Sequence, residues 1–313
     1  MKRFFIILLC AAALLACADR LIGHALQRWQ DATTAGETGR LNWVLHEVEA
    51  PVVVFGTSRA LHHYVPQVLS DSTGLEVANC GFEGLGIMTN YALIRFVTQR
   101  YTPQLIVYDL SYYYDLELAP ATSDVSRVRR LPGLRCRDSL LSAIDPWERL
   151  RLCSRIYPYN SVVADMALNS LRDSLYYDTP EIDRGYWPQH GTLDTTTAER
   201  HRPRTDVTDP VKLALLADLI ARCHDRLIIC TSPAWVPGYY ATEMYAPVKA
   251  LAAQHGVPFL EMDCDTAFVG HPQLWDDRMH LNDTGARLFT ARVAHAARQR
   301  LTGSGTNTRG ISP

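Results

Sequence analysis

The chain has 313 residues, 47% hydrophobic and 20% charged, enough to bury a full core in one large domain or two small ones. Its formal net charge is −2, and the pI is near 6.6. No run of lysine or arginine offers a basic stripe to a phosphate backbone, so the composition points away from a nucleic-acid partner.

The amino terminus, "MKRFFIILLCAAALLACADRLIG", reads as an export or anchoring segment over residues 1–22. Lys2 and Arg3 precede an unbroken apolar stretch from Phe4 to Ala18, longer than a usual signal core and shorter than the ~20 residues of a spanning helix. Two readings stand. "LLAC" at Leu14–Cys17 resembles a lipoprotein box with Cys17 as the lipidated residue, and the same residues fit an uncleaved anchor. Both put the globular part outside the cytoplasm, in the periplasm or at the cell surface. Residues 23–50 then read as a connecting helical region.

From residue 51 strands alternate with helices. "PVVVF" (51–55) is a short buried strand, followed by a loop and a helix starting at Pro66. "LEVAN" (75–79) is a second strand, followed by the glycine-rich turn "CGFEGLG". "IMTNYALIRFVTQRY" has helical spacing, and "QLIVYDL" (104–110) is a third strand. Asp209 followed by Pro210 predicts a capped helix over "VKLALLADLIARCH". "RLIICTS" (226–232) and "VPFLEM" (257–262) are strands four and five, separated by a helix closed at Gly256. Asp283 is expected to cap a last helix through about Leu301, leaving a mobile polar tail at 303–313.

This alternation predicts a three-layer α/β/α fold on a five-stranded parallel, flavodoxin-like sheet over residues 51–302. A stretch from about 112 to 206 breaks the pattern and reads as a large insertion after the third strand. Its aromatics, Tyr112 to Tyr114, Tyr157, Tyr159, Tyr176, Tyr177, Tyr186 and Trp187, fit either the insertion's own small core or a sugar-binding rim. "GFEGLG" lacks dinucleotide-binding spacing, and no cofactor is expected. Six cysteines lie beyond the leader with no C-x-x-C spacing, so no zinc site is expected and at most one or two disulfides. His62 and His63 are neighbours whose side chains point apart, which argues for loop residues rather than a metal pair.

The chemistry gathers at the strand ends, because loops after parallel strands emerge on one sheet edge. Ser58 follows strand one, Gly84 follows strand two, and "WDDRMHLNDTGA" follows strand five, carrying Asp277 and His280. A serine hydroxyl needs a base to take its proton, and His280 is the candidate. That base needs its other ring nitrogen held by an acceptor, for which Asp277 is the candidate and Asp276 the substitute. Backbone N–H groups of Ser58 and Gly84 are candidate oxyanion donors. Arg59 and Ser232 read as structural. An α/β-hydrolase elbow fits less well, since Ala60 stands where G-x-S-x-G wants its second glycine.

"FGTSRA", "NCGFEGLG" and "DDRMHLNDTGA" together resemble the SGNH/GDSL hydrolases, particularly an exported Bacteroidetes-like branch, over roughly residues 51–301. The resemblance implies a serine esterase with Ser58 as nucleophile, Gly84 as oxyanion donor, Asp277 as orienting acid and His280 as base. It also implies an asparagine after strand three, where this chain has "YDLSYYYD"; an ionised Asp109 there would oppose an oxyanion. Asn79, Asn90, an insertion residue or the backbone donors alone are the substitutes. The expected activity is removal of acyl groups, O-acetyl foremost, from an extracytoplasmic glycan or related ester. Beside it stand an O-acyltransferase of the same fold and a non-catalytic glycan-binding or assembly protein. Oligomeric state is not read from the sequence.

Overall fold

The structure is a computed structural model that describes residues 1–119, 125–131, 133–171, 183–196, 207–235 and 242–304. Two compact units emerge, one from residues 1–47 with 125–179, the other from 48–124 with 180–313. The segment 112–206, expected as one insertion, is thus shared between them.

The second unit carries the sheet. Its strands are β1 (Val52–Gly56), β2 (Val77–Asn79), β3 (Leu105–Asp109), β4 (Leu227–Thr231) and β5 (Phe259–Glu261). All neighbours pair in parallel, in the order β2-β1-β3-β4-β5. This is the flavodoxin-like arrangement, whose strand ends share one edge. Among the described residues the helices that flank it include α1 (Ser58–His63), α2 (Pro66–Thr73), α3 (Ile87–Arg100), α4 (Pro210–Cys223), α5 (Ala246–Gln254) and α6 (Asp283–Ser304). Helices α1, α2 and α6 pack together, while α4 packs against α3 and α5, giving a helical layer on each side.

The two-residue period of the strands assigns the faces. Val52, Val54, Leu105, Val107, Ile228 and Cys230 belong to one buried cluster with Phe268, Trp275, Phe289 and Val293. Their alternates Val53, Phe55, Ile106, Tyr108, Leu227 and Ile229 are equally buried. Burial on both faces is why these strands read as unbroken apolar runs, each aliphatic side chain contributing roughly 1.5–3 kcal/mol.

Two helix starts differ from expectation. Ser58 does not lie in a loop: it opens α1, with the Thr57 hydroxyl accepting the Arg59 N–H at 3.3 Å. The cap of α6 is Asn282, whose Oδ1 accepts the Gly285 N–H at 3.1 Å, because Asp283 is drawn to Tyr186 and Arg287. At α4 the expected cap holds, with Asp209 Oδ1 accepting from Val211 and Lys212. The expected tail lies, from residue 305, outside the described residues.

The first unit is built on a 31-residue helix, Lys2–Ala32, apolar and long enough to cross a membrane. The Asn42 side chain donates to the Gln30 and Thr33 carbonyls at its end. Arg127 pairs with Glu37, and Arg129 pairs bidentately with the buried Glu148 at 2.9 and 3.0 Å. All eight cysteines of the chain are free thiols.

Candidate active site

At the carboxyl edge of the sheet, three side chains form a chain of contacts. Ser58 Oγ donates to His280 Nε2 at 2.8 Å, and His280 Nδ1 donates to Asp277 Oδ2 at 2.9 Å. The other Asp277 oxygen accepts the N–H groups of Met279 (2.6 Å) and His280 (2.8 Å). One carboxylate therefore shapes the turn and orients the ring it presents. Although burial opposes it, hydrogen bonds from the His280 side chain and from these N–H groups hold Asp277 below the usual carboxylate range.

The serine is aimed by close packing. Gly56 ends β1 with φ +152°, and a Cβ there would lie 2.8 Å from the Ala60 Cβ and 2.9 Å from the Asp109 carbonyl. The chain can therefore turn from strand into α1 against β3 without a side chain in the way. Arg59 clamps that turn: buried, it donates to the Ser232 carbonyl at 3.1 Å and the Leu110 carbonyl at 3.0 Å. It also stands 3.8 Å from Asp109.

Asp109 is not an oxyanion neighbour. It is fully buried and turned inward, accepting from Tyr64 Oη at 2.9 Å and from Ser232 Oγ. Burial pushes its carboxyl up, against the pull of Arg59 and these hydroxyls. Ser232 is committed to the same network.

Neither candidate asparagine is free to act as a side-chain donor. The Asn79 amide donates to the Ala60 carbonyl at 2.7 Å and the Tyr64 carbonyl at 2.9 Å, and its oxygen accepts the Gly81 N–H. It staples α1 to β2, so the oxyanion role expected of it is withdrawn. Asn90 is fully buried and donates to the Leu85 carbonyl. Gly84 is exposed, with φ +66° in the turn after β2. Among the described residues neither the Ser58 N–H nor the Gly84 N–H has an internal acceptor.

His62 and His63 are not loop residues. Both are buried on α1, because helical spacing sets His62 one turn after Ser58. His63 Nε2 accepts the Leu281 N–H at 3.0 Å, fixing the backbone just after His280. Burial, then the charges of His280, Arg59 and His62, push its imidazole well below the ordinary range, so it stays neutral. His62 donates from Nδ1 to the Trp187 carbonyl at 2.7 Å, and its Nε2 lies 2.7 Å from Glu83 Oε1. The His62 and His280 rings meet edge to face at 5.1 Å.

His62, Glu83 and His280 also have ligand atoms within 4.8 Å of one another and could hold a metal ion. Every ring nitrogen of the two histidines is already hydrogen-bonded, however, and a cation taking His280 Nε2 would displace Ser58. We assign no metal role to them.

The insertion reaches this edge through residues 183–196. Gln189 O accepts the Asp283 N–H at 2.7 Å, and Asp276 Oδ1 accepts the Gly191 N–H at 2.5 Å. Asp276 therefore holds the insertion rather than His280. Tyr112, Tyr113, Tyr159 and Tyr186 are buried, as core residues are, while Trp187 is half-buried with its ring 5.6 Å from that of His62. Tyr176 and Tyr177 lie outside the described residues. Sequence reading missed Glu83 and Gly191, and set His62 aside. The one available signal was position, since Glu83 adjoins Gly84 and His62 follows Ser58 by four.

A groove of about 1060 Å³ lies at the opposite, amino edge of the sheet, lined in part by Gln104, Arg226 and Pro258, which precede β3, β4 and β5. It contains none of the site residues above.

No family model matches the chain, and no curated protein matches it. Among solved structures the chain is similar to LAE5, an alpha/beta hydrolase enzyme from the metagenome of Lake Arreo, Spain. The identity is 13% and the TM-score 0.41, over 82% of this chain and 99% of that one.

Proposed function

We propose that the protein is a serine esterase of SGNH/GDSL type. The observation that carries this reading is the unbroken run from Asp277 through His280 to Ser58, with heavy-atom contacts of 2.9 and 2.8 Å. Ser58 Oγ attacks the ester carbonyl as its proton passes to His280 Nε2, and Asp277 stabilises the imidazolium. The N–H groups of Ser58 and Gly84 take the developing oxyanion. The imidazolium returns its proton to the departing alkoxide, leaving an acyl-Ser58. Water then attacks that ester, gives a proton to His280, and the carboxylic acid leaves with Ser58 restored. With Asn79 and Asn90 committed elsewhere and the backbone donors alone, turnover is expected to be slower by roughly 10²–10³ than with a side-chain amide.

The apolar amino-terminal helix supports an exported, membrane-associated enzyme. That location supports O-acyl groups on an extracytoplasmic glycan as substrate, and the half-buried Trp187 near His62 supplies an aromatic face for a sugar.

A fluorophosphonate probe tests the reading without the natural substrate. Wild type is expected to label covalently and hydrolyse a chromogenic acetyl ester, and Ser58→Ala to do neither. Equal labelling and rates in both, or none in either, would reject a Ser58 hydrolase in favour of a non-catalytic scaffold.

A further inference from the structure

The first unit contains a basic pocket that the proposed chemistry does not use. A cavity of about 250 Å³ lies between one turn of the Lys2–Ala32 helix and the segment 129–159. Arg20, Arg129, Arg137 and Arg155 line it with His24 and Tyr159, and among the described residues no carboxylate lines it. Three of the four arginines already pair with acids beside the cavity: Arg20 with Asp19, Arg129 with Glu148, and Arg137 with Asp138 at 2.8 Å. Asp19 accepts from Ser154 Oγ and from the Arg155 N–H, ordering that turn, and also from Arg20. Glu148 is buried beneath Arg129. Among the described residues no carboxylate pairs with Arg155. Gly23 fixes its place: a Cβ there would meet the Arg155 carbonyl oxygen at 2.7 Å, so the helix runs directly over that residue's backbone.

Depth along the helix supplies a second, independent observation. Phe4 to Leu9, with Leu14 and Leu15, are each more than half exposed, and the first buried residue is Gly23. The helix is bare along its apolar length, and its first buried residue, Gly23, lies three positions past Arg20. If residues 2–18 span a bilayer, Arg20 emerges at the phosphate layer; if Cys17 carries lipid instead, Arg20 lies only ~4.5 Å further along the helix axis. The pocket meets the same depth either way.

We propose that this pocket binds the phosphate of an anionic phospholipid, tying the first unit to the headgroup layer. Guanidinium forks match phosphate oxygens in pairs, and the helix brings these forks to the depth of the phosphate layer. The proposal rests on the membrane reading above and not on Ser58.

The test is calorimetric titration of the full chain, in uncharged detergent, with dihexanoylphosphatidylglycerol, dihexanoylphosphatidylcholine and inorganic phosphate. The phosphatidylglycerol is expected to bind at least tenfold tighter than either other probe, and more weakly as salt is raised. Arg155→Gln should weaken it at least tenfold, with partial recovery in Arg155→Lys, while circular dichroism shows an unchanged fold. Should Arg155→Gln unfold, Arg137→Gln carries the same expectation. Unchanged affinity in a folded arginine variant, or phosphatidylcholine binding equally well, would overturn the proposal. Phosphate binding as tightly as the lipid would overturn it too, by making the ligand a soluble anion. Failure of fluorophosphonate labelling would sink the esterase reading and leave this one standing, since neither arginine belongs to that site.

Discussion

Asp277 has two duties, and its substitution separates them. Asp277→Asn keeps a side-chain oxygen for the turn but offers His280 Nδ1 at best a neutral partner, favouring the wrong tautomer. We expect the hydrolysis rate to fall by roughly 10³–10⁴ with the fold retained, measured as kcat on a chromogenic ester beside a thermal melt. His63 sets a pH dependence. Its folded pKa lies below the unfolded value, so as pH falls below about 6.5 the unfolded chain binds the proton that the native state refuses. Stability therefore drops on acidification, by at most about 1.4 kcal/mol per pH unit from this group, until the folded pKa is passed. Urea midpoints from pH 8 to 5 for wild type and His63→Gln should show a shallower fall in the variant; parallel curves would remove His63 from the account. Neither duty shows in the residue types alone. A buried neutral acceptor and an exposed metal ligand are both written as histidine, and only burial tells them apart.

At the scale of elements, the site depends on the turn joining β1 to α1. Gly56→Ala would drive a Cβ into the Asp109 carbonyl and the Ala60 methyl, and neither can yield without moving β3 or α1. Such overpacking costs typically 1–3 kcal/mol, and a displaced Ser58 leaves hydrogen-bond reach of His280. A melting temperature lowered by several degrees, with activity down more than tenfold, is the expected outcome; a variant as active as wild type would show that the glycine is not what aims Ser58. The strands and most helices were legible because each carries a period or a punctuating residue: buried β-branched runs for β1, β3 and β4, Asp209-Pro210 for α4, Gly256 after α5. Helix α1 was not legible. Six residues are too few to establish a period, and its start coincides with a motif read for its chemistry.

For the whole molecule, the site's contacts run among residues 56–84, 187–191 and 276–282, all in the second unit. Deleting residues 2–22 is therefore expected to leave fluorophosphonate labelling of Ser58 within about twofold of wild type while moving the protein from the membrane pellet to the supernatant; loss of labelling in a folded truncation would refute that independence. The sequence by itself determined the parallel three-layer fold and the sheet edge at which Ser58 and His280 would lie, because burial periodicity and strand order are local and topological properties. It also marked residues 1–22 as an apolar export or anchoring segment from composition. Only the tertiary structure decided how the polar groups are partnered: Asn79 and Asp109 spent inside the fold, Asp276 given to the insertion, His62 set beside Glu83, and four arginines gathered around one cavity. Those pairings join residues that can lie more than a hundred positions apart, as Asp109 and Ser232 do. They are fixed by which buried donor finds an acceptor once the chain has packed, a condition no local pattern encodes.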